Sequence, residues 1–168
     1  MCSGNGIIAL LHAARTDTAR FTCIEIQSAA ANLARRSVAL NGQQDRIEVL
    51  NMDLNDSPAV LENGSFDVIT CNPPYMEAGR GLINPMDVKA SARHEISCTL
   101  EGILSVCKKL LRFGGHLFLI HKTARMADVL LQMRANKIEP KTLRFLHRNV
   151  KTPSDLFLIE GMLSLIHI

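Results

Sequence analysis

The 168-residue chain is 47% apolar and 21% charged, which excludes wholesale disorder and suits one domain. No apolar run approaches the ~20 residues that cross a bilayer. The opening Met-Cys-Ser-Gly-Asn-Gly also lacks the basic and apolar segments of a secretory leader, so no membrane association and a cytoplasmic protein are expected. Net charge is +3 but uneven: residues 1–84 carry six Lys/Arg against nine Asp/Glu, and residues 85–168 carry thirteen against seven. The second half is therefore a candidate surface for a polyanion, the alternative being a solvated face with no partner. Cys2, Cys23, Cys71, Cys98 and Cys107 form no C-x-x-C pair and no zinc spacing, so reduced thiols and no metal are expected.

Strand-length apolar runs alternate with helical patterns throughout, which predicts an α/β fold built on a parallel sheet. A Gly-rich turn leads into a helix from Ile7 to about Arg15, followed by a strand at Phe21–Ile26. Ser28 is placed to cap a helix over Ala29–Leu40 that Asn41-Gly42 ends by a left-handed stop. Ile47–Asn51 reads as a strand and Asp53–Pro58 as a loop; Phe66–Cys71 reads as a buried strand stopped at Asn72-Pro73-Pro74. Two consecutive prolines remove two backbone donors, so no interior strand or helix continues there. Met76–Arg93 reads as a long loop over a site. A helix follows at Cys98–Leu111, with Leu100, Ile103, Leu104, Cys107 and Leu111 on one face. Gly114-Gly115 is expected to turn the chain into a strand at His116–His121, and Thr123–Asn136 is predicted helical with Met126, Val129, Leu130 and Met133 inward. Thr142–His147 and Leu156–Gly161, joined without a helix, predict an antiparallel strand pair.

Several strand ends carry candidate chemistry. Ser3-Gly4-Asn5-Gly6 allows close approach of a nucleotide-like ligand to backbone. Glu25, nineteen residues after Gly6, ends a strand where an acid accepts hydrogen bonds from ribose hydroxyls, and Asp53 follows the next strand in reach of an adenine amine. Each alone reads equally as a structural turn or a loop acid; in register at three successive strand ends they point to a shared nucleotide site. At the fourth strand end stands Asn72-Pro73-Pro74-Tyr75.

This string resembles motif IV of the amino-group methyltransferases that use S-adenosylmethionine. By that resemblance the Asn72 side-chain oxygen and the Pro73 carbonyl would accept the two N–H bonds of a planar amine, with Pro74 stiffening the turn and Tyr75 offering a stacking face. Together with C-S-G-N-G-I-I at Cys2–Ile8, I-E-I-Q at Ile24–Gln27, A-R-H-E at Ala92–Glu95 and C-T-L-E at Cys98–Glu101, the chain resembles the tRNA1(Val) adenine-37 N6-methyltransferase family over residues 2–162. The resemblance implies a Rossmann-like class I methyltransferase fold, with a mostly parallel sheet and a C-terminal antiparallel pair. It implies S-adenosylmethionine held by Cys2, Ser3, Gly4, Asn5, Gly6, Glu25, Ile26, Asp53, Leu54 and Asn72. It further implies methyl transfer to N6 of an adenosine in the anticodon loop of tRNA, carried by Asn72, Pro73, Pro74 and Tyr75. Arg93, His94, Lys122, Arg125, Arg144, Arg148 and Lys151 are candidates for RNA contact. Arg93-His94-Glu95 is expected either to order the loop or to meet RNA. Other planar amines, a release-factor glutamine or an rRNA guanine, suit the same motif, and an inactive RNA-binding fragment suits the basic half.

In the family's sheet order, 3-2-1-4-5-7-6, the strand before the Gly turn is central, and the chain is expected to lack it. On the order of ten ladder bonds at ~0.5–1.5 kcal/mol each would be missing, comparable with a domain's ~5–15 kcal/mol, so marginal stability is expected. The catalytic domain is expected over residues 1–162. The last six residues, Leu163–Ile168, fall outside the resemblance and match the translation of a sequencing-adapter string, CTGTCTCTTATACACATC.

Overall fold

The computed structural model describes residues 1–73 and 98–164, where helices and strands alternate in the predicted order. Two compact units divide after Ser57.

In the first unit, α1 (Ile7–Ala13) is entered through Gly6 at φ 80°, a left-handed conformation that costs an L side chain ~1–2 kcal/mol. Strands β1 (Phe21–Glu25) and β2 (Ile47–Asn51) pair in parallel, from Phe21↔Ile47 to Glu25↔Asn51. Parallel pairing needs a crossover, which α2 (Ser28–Leu40) supplies. Ala31, Ala34 and Val38 fall on one face of α2 and are buried. Ala13, Cys23, Val38 and Ile47 form the core, with Ala9, Leu10, Phe21 and Val49 against it. Arg46 fastens the α1–β1 connection by donating to the carbonyls of Ala13, Thr16 and Ala19.

Two expectations are corrected here. Ser28 does not cap α2: the cap position is Gln27, which makes no side-chain cap bond, and its N–H is held by Glu25 Oε1 at 3.0 Å. The acid at the strand end, rather than a serine, anchors the helix entry. The loop expected at Asp53–Pro58 is instead a 3-10 turn, Leu54–Asp56, running into a short helix, α3 (Ser57–Val60). Asp53 caps it by accepting the Asn55 N–H at 2.9 Å.

The second unit holds a four-stranded sheet in the order β3-β4-β6-β5. Strand β3 (Phe66–Cys71) runs parallel to β4 (Leu111–Lys122), and β6 (Leu156–Leu163) lies antiparallel between β4 and β5 (Ile138–Leu146). Each sheet, taken by itself, follows the implied family order: 2-3 for the first and 4-5-7-6 for the second. Helices α4 (Leu100–Leu110) and α5 (Met126–Ala135) contribute Ile103, Leu104, Cys107, Leu110, Val129 and Met133, each no more than 1% exposed. On the strands Leu117, Leu119, Ile138, Phe157 and Ile159 complete this core, and the period-two alternation leaves Val68, Phe118 and Leu158 41–49% exposed on the other face.

Four boundaries differ from the sequence reading. Thr99 caps α4 by accepting the Gly102 N–H at 3.1 Å, and Leu111 is already extended, so it reaches the core from the strand. The Gly114-Gly115 turn lies inside β4: the ladder jumps from Phe66↔Leu111 to Val68↔His116, and Gly114 takes φ 73° in the resulting bulge. Thr123–Arg125 is a 3-10 turn before α5, in which Val129 and Met133 are buried while Met126 and Leu130 are half-buried. Strand β5 starts at Ile138 because Lys137, at φ 62°, ends the helix; Pro140 is tolerated because β5 is an edge strand whose register shifts there.

Candidate active site

The first unit gathers the residues expected to hold a nucleotide. Glu25, the last residue of β1, is 8% exposed, and its carboxylate bridges two backbone segments. Oε2 accepts the Gly4 N–H at 2.8 Å and Oε1 accepts the Gln27 N–H at 3.0 Å. Ser3 N–H and Oγ both bond the Ile24 carbonyl at 3.1 Å, and Gly6 N–H closes the turn on the Ser3 carbonyl at 2.9 Å. Gly4 takes φ 53° and Gly6 φ 80°; beside Gly4 there is open space, whereas a Cβ on Gly6 would stand 3.2 Å from the Ala34 Cβ. Cys2, at φ 50°, and Asn5, whose Oδ1 accepts the Ile7 N–H at 3.3 Å, complete the turn. The thiol of Cys23 below it is pushed up from its ordinary value by burial.

Asn51 is the residue that sequence reasoning passed over. It stands opposite Glu25 at the end of β2, and its Nδ2 donates to the Glu25 carbonyl at 2.8 Å and the Ile26 carbonyl at 3.0 Å. It holds Ile26 in place where β1 leaves the ladder. Its signal was position alone, as the polar terminus of an apolar strand. Asp53 Oδ1 is occupied by both the N–H and the Nδ2–H of Asn55 at 2.9 Å, and Leu54 is buried at 6% exposure.

In the second unit Asn72 is exposed and Pro73 buried, directly after Cys71, which is 3% exposed. Cys71 pairs with Leu119 on β4, so the corner stands at the carboxyl edge where β4 also ends. There His121 is 8% exposed, and burial pushes its imidazole below the ordinary 6.5. Its Nδ1 accepts the Lys122 N–H at 2.9 Å, which places the ring proton of the neutral form on Nε2. Lys122 is exposed, and Arg125 is engaged by Asp128, Nε to Oδ2 at 2.6 Å. Pro74, Tyr75, Arg93 and His94 lie outside the described residues.

Residues 1–142 match the family model of the methyltransferase small domain. The chain belongs to this family. It is 36% identical over 131 residues to the tRNA1(Val) (adenine(37)-N6)-methyltransferase of Porphyromonas gingivalis, covering 77% of this chain and 51% of that protein. It is also 35% identical over 103 residues to the ribosomal protein uL3 glutamine methyltransferase of Bordetella pertussis, covering 61% of this chain and 32% of that protein. The chain thus spans about half the length of the curated tRNA methyltransferase it matches. Among solved structures, a predicted O-methyltransferase from Agrobacterium tumefaciens superposes with a TM-score of 0.70 at 23% identity, over 95% of this chain and 69% of that one. This likeness shows the fold, the α/β class I methyltransferase fold with a mostly parallel sheet and an antiparallel strand pair. Among the described residues no group of three or more His, Cys, Asp or Glu is placed to hold a metal ion, and no helix is long and apolar enough to cross a membrane.

Proposed function

We propose that the protein transfers a methyl group from S-adenosylmethionine to the exocyclic N6 amine of an adenosine in the anticodon loop of tRNA. The observation that carries the reading is Asn72-Pro73 at the carboxyl end of β3, on a sheet edge where class I folds bind ligands. The name of the Porphyromonas gingivalis relative supports the choice of amine and of RNA.

The donor set fits the adenosine half of S-adenosylmethionine. Each oxygen of Glu25 accepts one backbone N–H, so each keeps a lone pair for a ribose hydroxyl. The open space beside Gly4 and the exposed Asn5 leave room for a ligand against the turn. When bound, S-adenosylmethionine supplies an electrophilic methyl carbon on a sulfonium. The protein's own task is then to present the nucleophile. The Asn72 side-chain oxygen and the Pro73 carbonyl accept the two N–H bonds of the amine, which orients its lone pair and raises its electron density. A splayed anticodon-loop base costs less to extract than a paired one. After transfer the amine loses one proton to solvent, so no general base is required.

The test is methyl transfer from labelled S-adenosylmethionine to an unmodified tRNA transcript. Asn72→Ala is expected to lower the rate by about 10²-fold or more, ~2.7 kcal/mol of barrier, and S-adenosylmethionine affinity measured beside it separates loss of the amine acceptor from loss of a cofactor contact. Undiminished transfer by Asn72→Ala would overturn its role. Transfer to a glutamine amide in ribosomal protein rather than to tRNA would favour the activity named for the Bordetella pertussis relative.

A further inference from the structure

The last rung of the second sheet is Lys122–Leu156–Leu146, and beyond it residues 147–155 form the tip of the β5–β6 hairpin. Because β3 and β4 are parallel with Cys71 opposite Leu119, this tip projects from the same edge of the sheet that carries Asn72 and Pro73. It is built within itself. Lys151 N–H donates to Asn149 Oδ1 at 2.9 Å, Thr152 N–H to the Asn149 carbonyl at 3.3 Å, and His147 Nδ1 to the Thr152 carbonyl at 2.9 Å. Its base is tied to the start of the 3-10 turn: Thr123 N–H donates to the Asp155 carbonyl at 2.9 Å, and Ser154 Oγ lies 2.6 Å from the Leu156 carbonyl.

Charge on this finger is cationic except for Asp155 at its base. From residue 140 to 154 the chain holds Lys141, Arg144, Arg148 and Lys151 and no Asp or Glu. All four cations are exposed, and among the described residues none is in an ion pair. Exposed Lys122 stands on the neighbouring strand end. At the tip, Val150 is fully exposed between Arg148 and Lys151. An unneutralised cationic ridge with an apolar point fits a sugar–phosphate backbone, where the cations meet phosphates and the valine rests on a ribose.

Resting on the reading given under "Proposed function", we infer that the β5–β6 hairpin tip is the finger that grips the RNA backbone and seats the target base at the Asn72-Pro73 corner. Arg144, Arg148, Lys151 and Lys122 supply the phosphate contacts; Arg125, held by Asp128, does not.

The experiment measures binding of an unmodified tRNA transcript by fluorescence anisotropy across salt concentrations, alongside methyl transfer. The variants are Arg144→Gln/Arg148→Gln/Lys151→Gln and a control of equal charge, Arg36→Gln/Lys108→Gln/Lys109→Gln. Each phosphate contact contributes about 0.7–0.9 to the slope of log affinity against log salt. The hairpin variant is therefore expected to lose about 2–3 from the slope and at least tenfold in affinity at 0.1 M salt, with S-adenosylmethionine affinity retained, and the control much less. Equal losses in the two variants, or wild-type binding by the hairpin variant, overturn the finger. Wild-type methyl transfer to tRNA with an unaffected hairpin variant sinks the finger alone. Hairpin-dependent tRNA binding without any methyl transfer by the wild type sinks the proposed reaction alone. Loss of affinity for anionic lipid vesicles but not for tRNA also overturns it.

Discussion

Replacing Glu25 by glutamine leaves size and shape almost unchanged and alters one acceptor. The carboxylate now satisfies two donors with two different oxygens, Gly4 N–H at 2.8 Å and Gln27 N–H at 3.0 Å. Glutamine has one oxygen, so whichever donor it keeps, its amide nitrogen points at the other and sets two donors against each other. One charge-assisted bond is lost, worth ~1.5–3 kcal/mol, and at 8% exposure water does little to replace it. If the Gly4 side gives way, the turn proposed to meet S-adenosylmethionine moves and the proposed ribose acceptor loses its charge as well. At 1.4 kcal/mol per tenfold, S-adenosylmethionine affinity is expected to fall about 10- to 100-fold. Titration calorimetry with S-adenosylhomocysteine reads the affinity, and a thermal melt of the unliganded protein reads the structural share. A variant that binds within twofold of the wild type and melts at the same temperature would refute the bridging role of the carboxylate.

Gly161→Ala is expected to destabilise the second unit by ~1–3 kcal/mol through overpacking, because the added Cβ meets Met133 Cε and comes within 2.7 Å of Ile138 Cγ2, both on side chains with no exposure; urea denaturation checks it, and Met133→Ala is expected to recover part of the loss. His121 has a depressed folded pKa from burial, so below 6.5 the unfolded chain binds the proton more readily and stability falls with pH. His121→Asn, which keeps an acceptor for the Lys122 N–H, is expected to flatten that fall relative to wild type in melts between pH 7 and 5, and parallel curves would contradict it.

Where local pattern decided the outcome, the sequence was enough. Strand β1 was legible from its short run at Phe21–Glu25 and β3 from its stop at Asn72-Pro73, but β3 is not the buried strand expected, because Asp67 and Val68 are exposed. Glu25 was legible as the acid at a strand end, and the structure brings its carboxylate to the Gly4 N–H of the Gly turn. What sequence could not give was the competition among neighbours. Ser28 has the side chain for a cap, but helix α2 begins at Ser28 itself, with Gln27 in the cap position and its N–H held by Glu25. The start of β5 was hidden because Pro140 disguises a strand, and only its edge position makes a missing donor harmless. Gly114-Gly115 looked like a turn between elements and is a bulge within one, since Phe66 pairs beyond it with Leu111.

The candidate site residues sit at strand ends for a reason rooted in the backbone. A parallel strand that leaves its sheet abandons donors and acceptors that had ladder partners, and each must be met by a side chain or a ligand. At the end of β1, Glu25 takes two N–H groups and Asn51 covers two carbonyls, so the residues that complete the fold also fix the turn at Ser3–Gly6. At the end of β3 the prolines act oppositely, by removing donors: a carbonyl at Pro73 is left with no N–H to follow from Pro74. One end is therefore stiff because side chains meet its polar groups, and at the other Pro73 and Pro74 contribute carbonyls and no N–H. On the proposed reading, a nucleotide's hydroxyls meet the first and an amine's two hydrogens meet the second.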